Sequence, residues 1–214
     1  MADSISAPSY SAYLAADTRP VPEFLWAESP ARFTDAPLEA ARYTSPDYFA
    51  LEAERLWPHV WQMVCRLEDL PNVGDALPYD IVGRSFLIVR TAVDTVRGYY
   101  NSCPHRGRKL LLEPAHLDGV RCPSHGFSWH LDGSVRRIPC QWDFMHVPQD
   151  DFRLREVRLE TWGGFVFLNM DDSAAPLAEW LGPLPAHFER WQLDARYKAV
   201  HVGKVIPCNW KVAQ

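Results

Sequence analysis

Apolar positions follow a strand period along most of this chain and a helical period only in short pieces. Ser45 followed by Pro46 is a helix start, a short polar cap and then a proline in the first turn. Phe49, Ala53, Leu56 and Trp57 then recur on one helical face, and Pro58 ends the helix. Val60 to Val64 is a β-rich run, and Pro71 to Asp75 is a turn. Ala76–Val82 and Ser85–Arg90 read as a hairpin joined by Gly83-Arg84, with Gly first in a two-residue turn. Thr95–Asn101 follows as a third strand. Phe127–His130 and Ser134–Arg136 form a further hairpin across Asp132-Gly133.

After Pro148 strands return. Val157 and Leu159 alternate with Arg158 and Glu160, and Phe165–Met170 is apolar enough to be buried on both faces. Pro176–Leu181, closed by Gly182, and Pro185–Trp191 are short helices. Val200, Val202 and Val205 predict a strand over Tyr197–Ile206. The body is therefore mainly antiparallel β, with a small subdomain inserted at about 100–140. Residues 1–44, rich in Ala, Ser and Pro, form an irregular N-terminal arm in which Phe24-Leu25-Trp26 seeks a surface to bury.

Composition narrows the function. With 47% apolar residues a real core is affordable, and 18 prolines suit a loop-rich β architecture. A net charge of −5 argues against nucleic acid as a partner. The start carries no basic, apolar leader and no stretch reaches the ~20 apolar residues of a membrane span. Five cysteines, an odd number and scattered outside one stretch, point to a reducing, cytoplasmic setting with free thiols.

That one stretch carries the chemistry. Cys103-Pro104-His105-Arg106-Gly107 and Cys122-Pro123-Ser124-His125-Gly126 offer two thiols and two imidazoles as C-x-H and C-x-x-H. Such a set can hold a tetrahedral zinc, or a [2Fe–2S] cluster with both Cys on one iron and both His on the other. Each loop carries one Cys and one His, so both loops can straddle two irons, whereas zinc fingers usually pair like with like. A Gly follows each His, at Gly107 and Gly126, allowing tight turns near a sulfide. Arg97, Arg106, Arg108, Lys109, Arg121, Arg136 and Arg137 surround the stretch and make it basic on an acidic chain. This is either a docking rim for an acidic partner or a solvated charged face. The other histidines, His59, His116, His130, His146, His187 and His201, show no ligand spacing and read as surface or core residues.

The two loops, with Arg106-Gly107 and Gly126, resemble the Rieske iron–sulfur domain, and most closely the large subunit of Rieske non-haem iron oxygenases, which include aromatic ring-hydroxylating dioxygenases. Trp61, Leu70-Pro71, Gly74-Asp75, Phe86–Arg90, Tyr100-Asn101, Asp132-Gly133 and Gly164–Asn169 extend the likeness, which covers roughly residues 45–214. The high-potential Rieske proteins add a disulfide-bonded Cys to each loop. Arg108 and Ser124 stand near those places, which is similar to the oxygenase or ferredoxin type.

The resemblance implies an antiparallel β-sandwich with a cluster-binding subdomain over residues 45–170. Residues 171–214, with Cys208-Asn209-Trp210-Lys211, would begin an α+β catalytic domain. It implies a [2Fe–2S] cluster on Cys103, His105, Cys122 and His125, and a mononuclear Fe(II) beyond Gln214. It also implies electrons from a ferredoxin or a flavin/iron–sulfur reductase, a trimeric assembly, and oxygen insertion into an organic, often aromatic, substrate. A stand-alone Rieske ferredoxin and a structural zinc module are the rival readings.

Overall fold

The computed structural model describes residues 9–27, 37–143, 145–146 and 148–213. The chain divides into two compact units, residues 1–40 and 41–214. In the first, helix α1 (Tyr10–Ala15) is capped by Ser9, whose side chain accepts from the Ala12 N–H, and Glu23–Leu25 form a 3₁₀ turn. Phe24 and Trp26 are exposed there, and the arm's Pro8 and Pro30 lie outside the described residues.

The second unit opens with α2 (Ala41–Thr44) and α3 (Pro46–Arg55). Ser45 caps α3 by accepting the Tyr48 N–H at 3.3 Å, as its sequence predicts. The buried face differs from the expected one: Phe49 is 45% exposed, and the residue α3 buries is Glu52. Its carboxylate accepts from Lys211 Nζ at 2.6 Å and from Trp210 Nε1 at 3.1 Å. A pattern of apolar residues cannot reveal a face whose centre is a charge paired from far along the chain.

Ten strands follow: β1 (Gln62–Arg66), β2 (Asp75–Ile81), β3 (Arg84–Ala92), β4 (Thr95–Tyr100), β5 (Ala115–His116), β6 (Val120–Arg121), β7 (Ser128–Trp129), β8 (Val135–Arg137), β9 (Glu156–Trp162) and β10 (Phe165–Asn169). Helices α4 (Leu177–Leu181) and α5 (Leu184–Phe188) come last. Seven strands form one antiparallel sheet in the order β1-β10-β9-β4-β3-β2-β5, and β6-β7-β8 form a second. The fold is mainly antiparallel β, as expected. Among the described residues no helix is long and apolar enough to cross a membrane.

The β2–β3 hairpin corrects the expected turn. Ile81 pairs with Arg84, so the turn residues are Val82 and Gly83, at φ 43° and 75°. Two positive φ values match the right-handed strand twist, and Gly83 supplies the second of them rather than the first.

Phe86 and Ile88 of β3 share a core with Val166 and Leu168 of β10. Three strand steps separate β3 from β10 in the sheet order, about 14 Å in a flat sheet. Sharing a core therefore requires the sheet to curl over itself. The bend falls where β4 meets β9 through Gly98 and Tyr99. A Cβ on Gly98 would lie 2.8 Å from Val157 Cγ1 and 2.9 Å from Leu159 Cγ, so only glycine fits the crossing.

The opposite face of β3, Leu87 and Val89, packs with Tyr99 against Val120, Phe127 and Trp129 of the small sheet and its loop. Tyr99 and Trp129 anchor the two sheets. The Tyr99 hydroxyl donates to the Leu131 carbonyl at 3.0 Å, and Trp129 Nε1 donates to the Phe152 carbonyl at 2.6 Å. Burying side chains of this size contributes about 1.5–3 kcal/mol each. A third core sets Leu177 and Leu181 of α4 on Trp61 and Phe167, so β10 is buried on both faces as its apolar run predicts.

The predicted strand over Tyr197–Ile206 is absent. This stretch is irregular and pairs with no strand among the described residues, and Val205 is 100% exposed. Alternating valines make a strand only where another edge accepts their N–H and C=O groups. Lys198 ties its start down, giving its N–H to Glu68 at 2.7 Å and its ammonium to Asp69.

Candidate metal centre

Strand β4 delivers the chain through Tyr100 and Asn101 into the first Cys/His loop. Asn101 is buried and fully used. Its side-chain oxygen accepts from the Leu110 and Leu111 N–H groups at 3.0 and 2.8 Å, and its Nδ2 donates to the Leu111 carbonyl at 2.6 Å and to Ser85 Oγ at 3.0 Å. It thereby fixes where the chain leaves the loop. The second loop is the β6–β7 connection, flanked by the Arg121–Ser128 pair.

Both loops close alike. The Cys103 N–H donates to the Arg108 carbonyl and the Gly107 N–H to the Cys103 carbonyl, each at 2.8 Å. The Cys122 N–H donates to the Phe127 carbonyl at 2.8 Å, and the Gly126 N–H to the Cys122 carbonyl at 3.1 Å. Pro104 and Pro123 stiffen the residue after each cysteine.

The four side chains come together as a thiol pair and an imidazole pair. Cys103 and Cys122 are buried, and their thiols are near enough to influence one another's titration. Burial pushes the Cys103 thiol up, opposed by the N–H groups of His105 and Arg106 that point at its sulfur. Burial works the same way on Cys122, but the Ser124 and His125 N–H groups and the Cys103 thiol outweigh it, and its pKa falls below the ordinary value. The backbone is thus arranged to support negative charge on sulfur.

His105 and His125 lie at the surface, with ring centroids 5.0 Å apart and planes at 78°. Phe127 stacks on His105 at 4.7 Å. Desolvation first, then the neighbouring His125 and Arg106, lower the His105 pKa and favour the neutral ring. Beside both rings opens a cavity of about 320 Å³ lined by Phe127, Ile138, Pro139, Cys140 and Phe152. Phe127 and Asn101 are positioning residues whose roles the ligand spacing alone does not expose; the signal for Phe127 is its place directly after the second loop's glycine.

The remaining histidines are dispersed. His59 meets Asp171 at 3.0 Å, His116 meets Asp75 at 2.8 Å, and His187 packs on Phe188 and Trp191. Of the basic rim, Arg97 is paired with Glu156 and Lys109 with Asp80.

Two buried sulfurs and a surface imidazole pair thus come from the same two loops. Residues 60–151 match the model of the Rieske [2Fe-2S] domain, so the chain carries a Rieske domain. Over 190 residues it is 33% identical to the carnitine monooxygenase oxygenase subunit of Escherichia coli (strain K12), covering 85% of this chain and 47% of that protein. It is 29% identical over 180 residues to the 2-aminobenzenesulfonate 2,3-dioxygenase subunit alpha of Alcaligenes sp, covering 79% of this chain and 44% of that protein. The chain thus spans about half the length of the curated relatives it matches.

Among solved structures, the quaternary ammonium Rieske monooxygenase CntA superposes with a TM-score of 0.75 at 26% identity, covering 80% of this chain and 49% of that one. Naphthalene 1,2-dioxygenase from Rhodococcus sp. gives 0.66 at 28% identity, covering 70% and 35%. By fold, domain match and sequence the chain is a homologue of Rieske oxygenase subunits.

Proposed function

We propose that this chain is the electron-transfer part of an oxygenase, with Cys103 and Cys122 holding one iron of a [2Fe–2S] cluster and His105 and His125 the other. The observation that carries this reading is the two-and-two arrangement, a cradled thiol pair beside an open imidazole pair. The donor set fits the group, since the thiols have N–H donors aimed at them and His105 favours the neutral ring a ligand must be. When bound, the cluster supplies one-electron redox chemistry.

The chain's own residues do the rest. N–H groups of His105, Arg106, Ser124 and His125 stabilise charge on sulfur and favour the reduced state. Asn101 and Phe127 hold the loops and one ring in place. The surface imidazoles, beside the apolar recess, are the side through which an electron enters or leaves.

In this reading the donor is a ferredoxin or a flavin/iron–sulfur reductase, met by the rim's exposed Arg106 and Arg108 beside His105. The acceptor is a mononuclear Fe(II), held by two His and one carboxylate in the length of the relatives that this chain does not span. The whole protein then works as a cytoplasmic trimer that inserts oxygen into an organic substrate. Residues 1–44 serve as an arm, 45–170 as the cluster domain and 171–214 as the start of a catalytic domain. Quaternary ammonium and aromatic compounds are the substrate classes named in its relatives.

The test is electron paramagnetic resonance of the reduced, natively expressed protein, with iron, sulfide and zinc analysis. A Rieske-type signal is expected, lost in Cys103→Ser and in His125→Ala. Stoichiometric zinc with neither iron nor sulfide would overturn the reading.

A further inference from the structure

The small sheet carries a second site, on strands that flank the second loop. Its central rung runs across all three strands: Arg121 of β6 pairs with Ser128 of β7, and Ser128 pairs with Arg137 of β8. Residues paired along one rung point to the same face, so a hydroxyl stands between two guanidinium groups. The register between β7 and β8 slips here: Trp129 pairs with Val135 while Ser128 pairs with Arg137, leaving Arg136 as an extra residue. Such a bulge re-aims side chains. Arg136 and Arg137, adjacent in sequence, consequently line one cavity of about 540 Å³ together with Arg121 and Ser128.

Two glycines shape the space. A Cβ on Gly119 would lie 3.5 Å from Arg136 Nη1, and one on Gly126 would lie 3.8 Å from Arg121 Nη2. None of the three arginines has an ion-pair partner among the described residues, in contrast to Arg97 and Lys109. Asp118, exposed at the entry to β6, is the single acid on the lining. Three guanidinium groups without an ion-pair partner on one concave surface make it locally positive and favour an anion there. The planar guanidinium fork binds oxyanions through paired N–H bonds, and a hydroxyl adds a further donor.

We propose that Arg121, Arg136, Arg137 and Ser128 form a binding site for a multivalent oxyanion of the phosphate class. The site is independent of which residues hold the cluster. It is built by the sheet register and the bulge.

The experiment is calorimetric titration of the cluster-loaded protein with inorganic pyrophosphate, against sodium chloride at matched ionic strength. Saturable one-to-one binding is expected, weakened about tenfold or more in Arg121→Gln and Arg137→Gln. Arg137→Lys should also lose affinity, since it keeps the charge but not the fork. Arg55→Gln, an exposed charge on α3, should bind as the native protein does. Binding no stronger than chloride, or equal loss in Arg55→Gln, overturns the site. A glutamate-rich peptide that binds more tightly than pyrophosphate would assign these arginines to a protein carboxylate instead, and would also overturn it.

Discussion

Gly107 and Gly126 are equivalent residues in two unlike loops. Each lies four residues after its cysteine, each gives its N–H to that cysteine's carbonyl, and their φ angles are 72° and 76°. Measured from the cysteines the loops superpose; measured from the histidines they do not, because His105 is two residues on and His125 three. The backbone contacts repeat while the histidine is offset by one residue.

Alanine at either glycine should therefore cost about 1–2 kcal/mol, from the left-handed φ alone. The nearest atoms to an added Cβ are 3.9 Å away at Gly107 and 3.7 Å at Gly126. Gly133→Ala should cost more, since at φ 79° its Cβ would also stand 2.7 Å from the buried Tyr99 ring. Urea unfolding of the three variants measures this. Equal losses at Gly107 and Gly133 would contradict it.

Replacing either imidazole by a thiolate should lower the cluster's reduction potential. His105→Cys and His125→Cys each exchange a neutral ligand for an anion, which favours the oxidised state. Protein-film voltammetry reads the sign directly. A variant that assembles its cluster and shifts upward would refute the ligand assignment.

Asp171 contributes to the acid limb of stability. The Ser173 hydroxyl, then His59, then the Ser173 N–H hold its carboxyl at about 2, below the ordinary 3.8. A folded value below the unfolded one gives stability that is complete above 3.8 and drains away as pH falls toward 2. Asp171→Asn should flatten that part of the stability–pH curve and leave the neutral region parallel to the native one. An acid limb of unchanged slope would show that the carboxylate plays no part.

Thiol labelling should separate the cysteines outside the loops. Burial, reinforced by the Asp69 charge, pushes the Cys65 thiol up to about 12, while Cys140 and Cys208 are exposed. Iodoacetamide at mildly alkaline pH should modify Cys140 and Cys208 at least a hundredfold faster than Cys65, since the thiolate is the nucleophile. Peptide mass spectrometry over time gives the rates. Cys65 labelled as fast as Cys208 would place it at the surface.

The sequence discloses what depends on near neighbours. Asp132-Gly133 marks its hairpin because the turn and its cap are local: Asp132 Oδ1 accepts the Ser134 N–H at 2.9 Å. Phe165–Asn169 shows its double burial because every residue of the run is apolar or terminal. The four candidate ligand residues stand out by spacing for the same reason. Distant partners leave no such trace. Val82 occupies a left-handed turn position that its branched side chain argues against, and only the pairing of β2 with β3 puts it there. Glu52 reads as a solvent residue until Lys211 is placed beside it. The valines of 197–206 alternate like a strand but have no edge to join. At the site, the N–H groups aimed at the sulfurs belong to backbone geometry, which residue types do not encode.

The Glu52–Lys211 contact also sets an order of events. Its two residues are 159 positions apart. Synthesis at about 5–20 residues per second leaves on the order of ten to thirty seconds between them. Through that interval α3 has its Ser45 cap but not its lock, and its inner carboxylate must stay in water. Fastening α3 therefore waits on a residue made long after the sheet strands, and a nascent chain stalled short of Lys211 is expected to leave that helix loose.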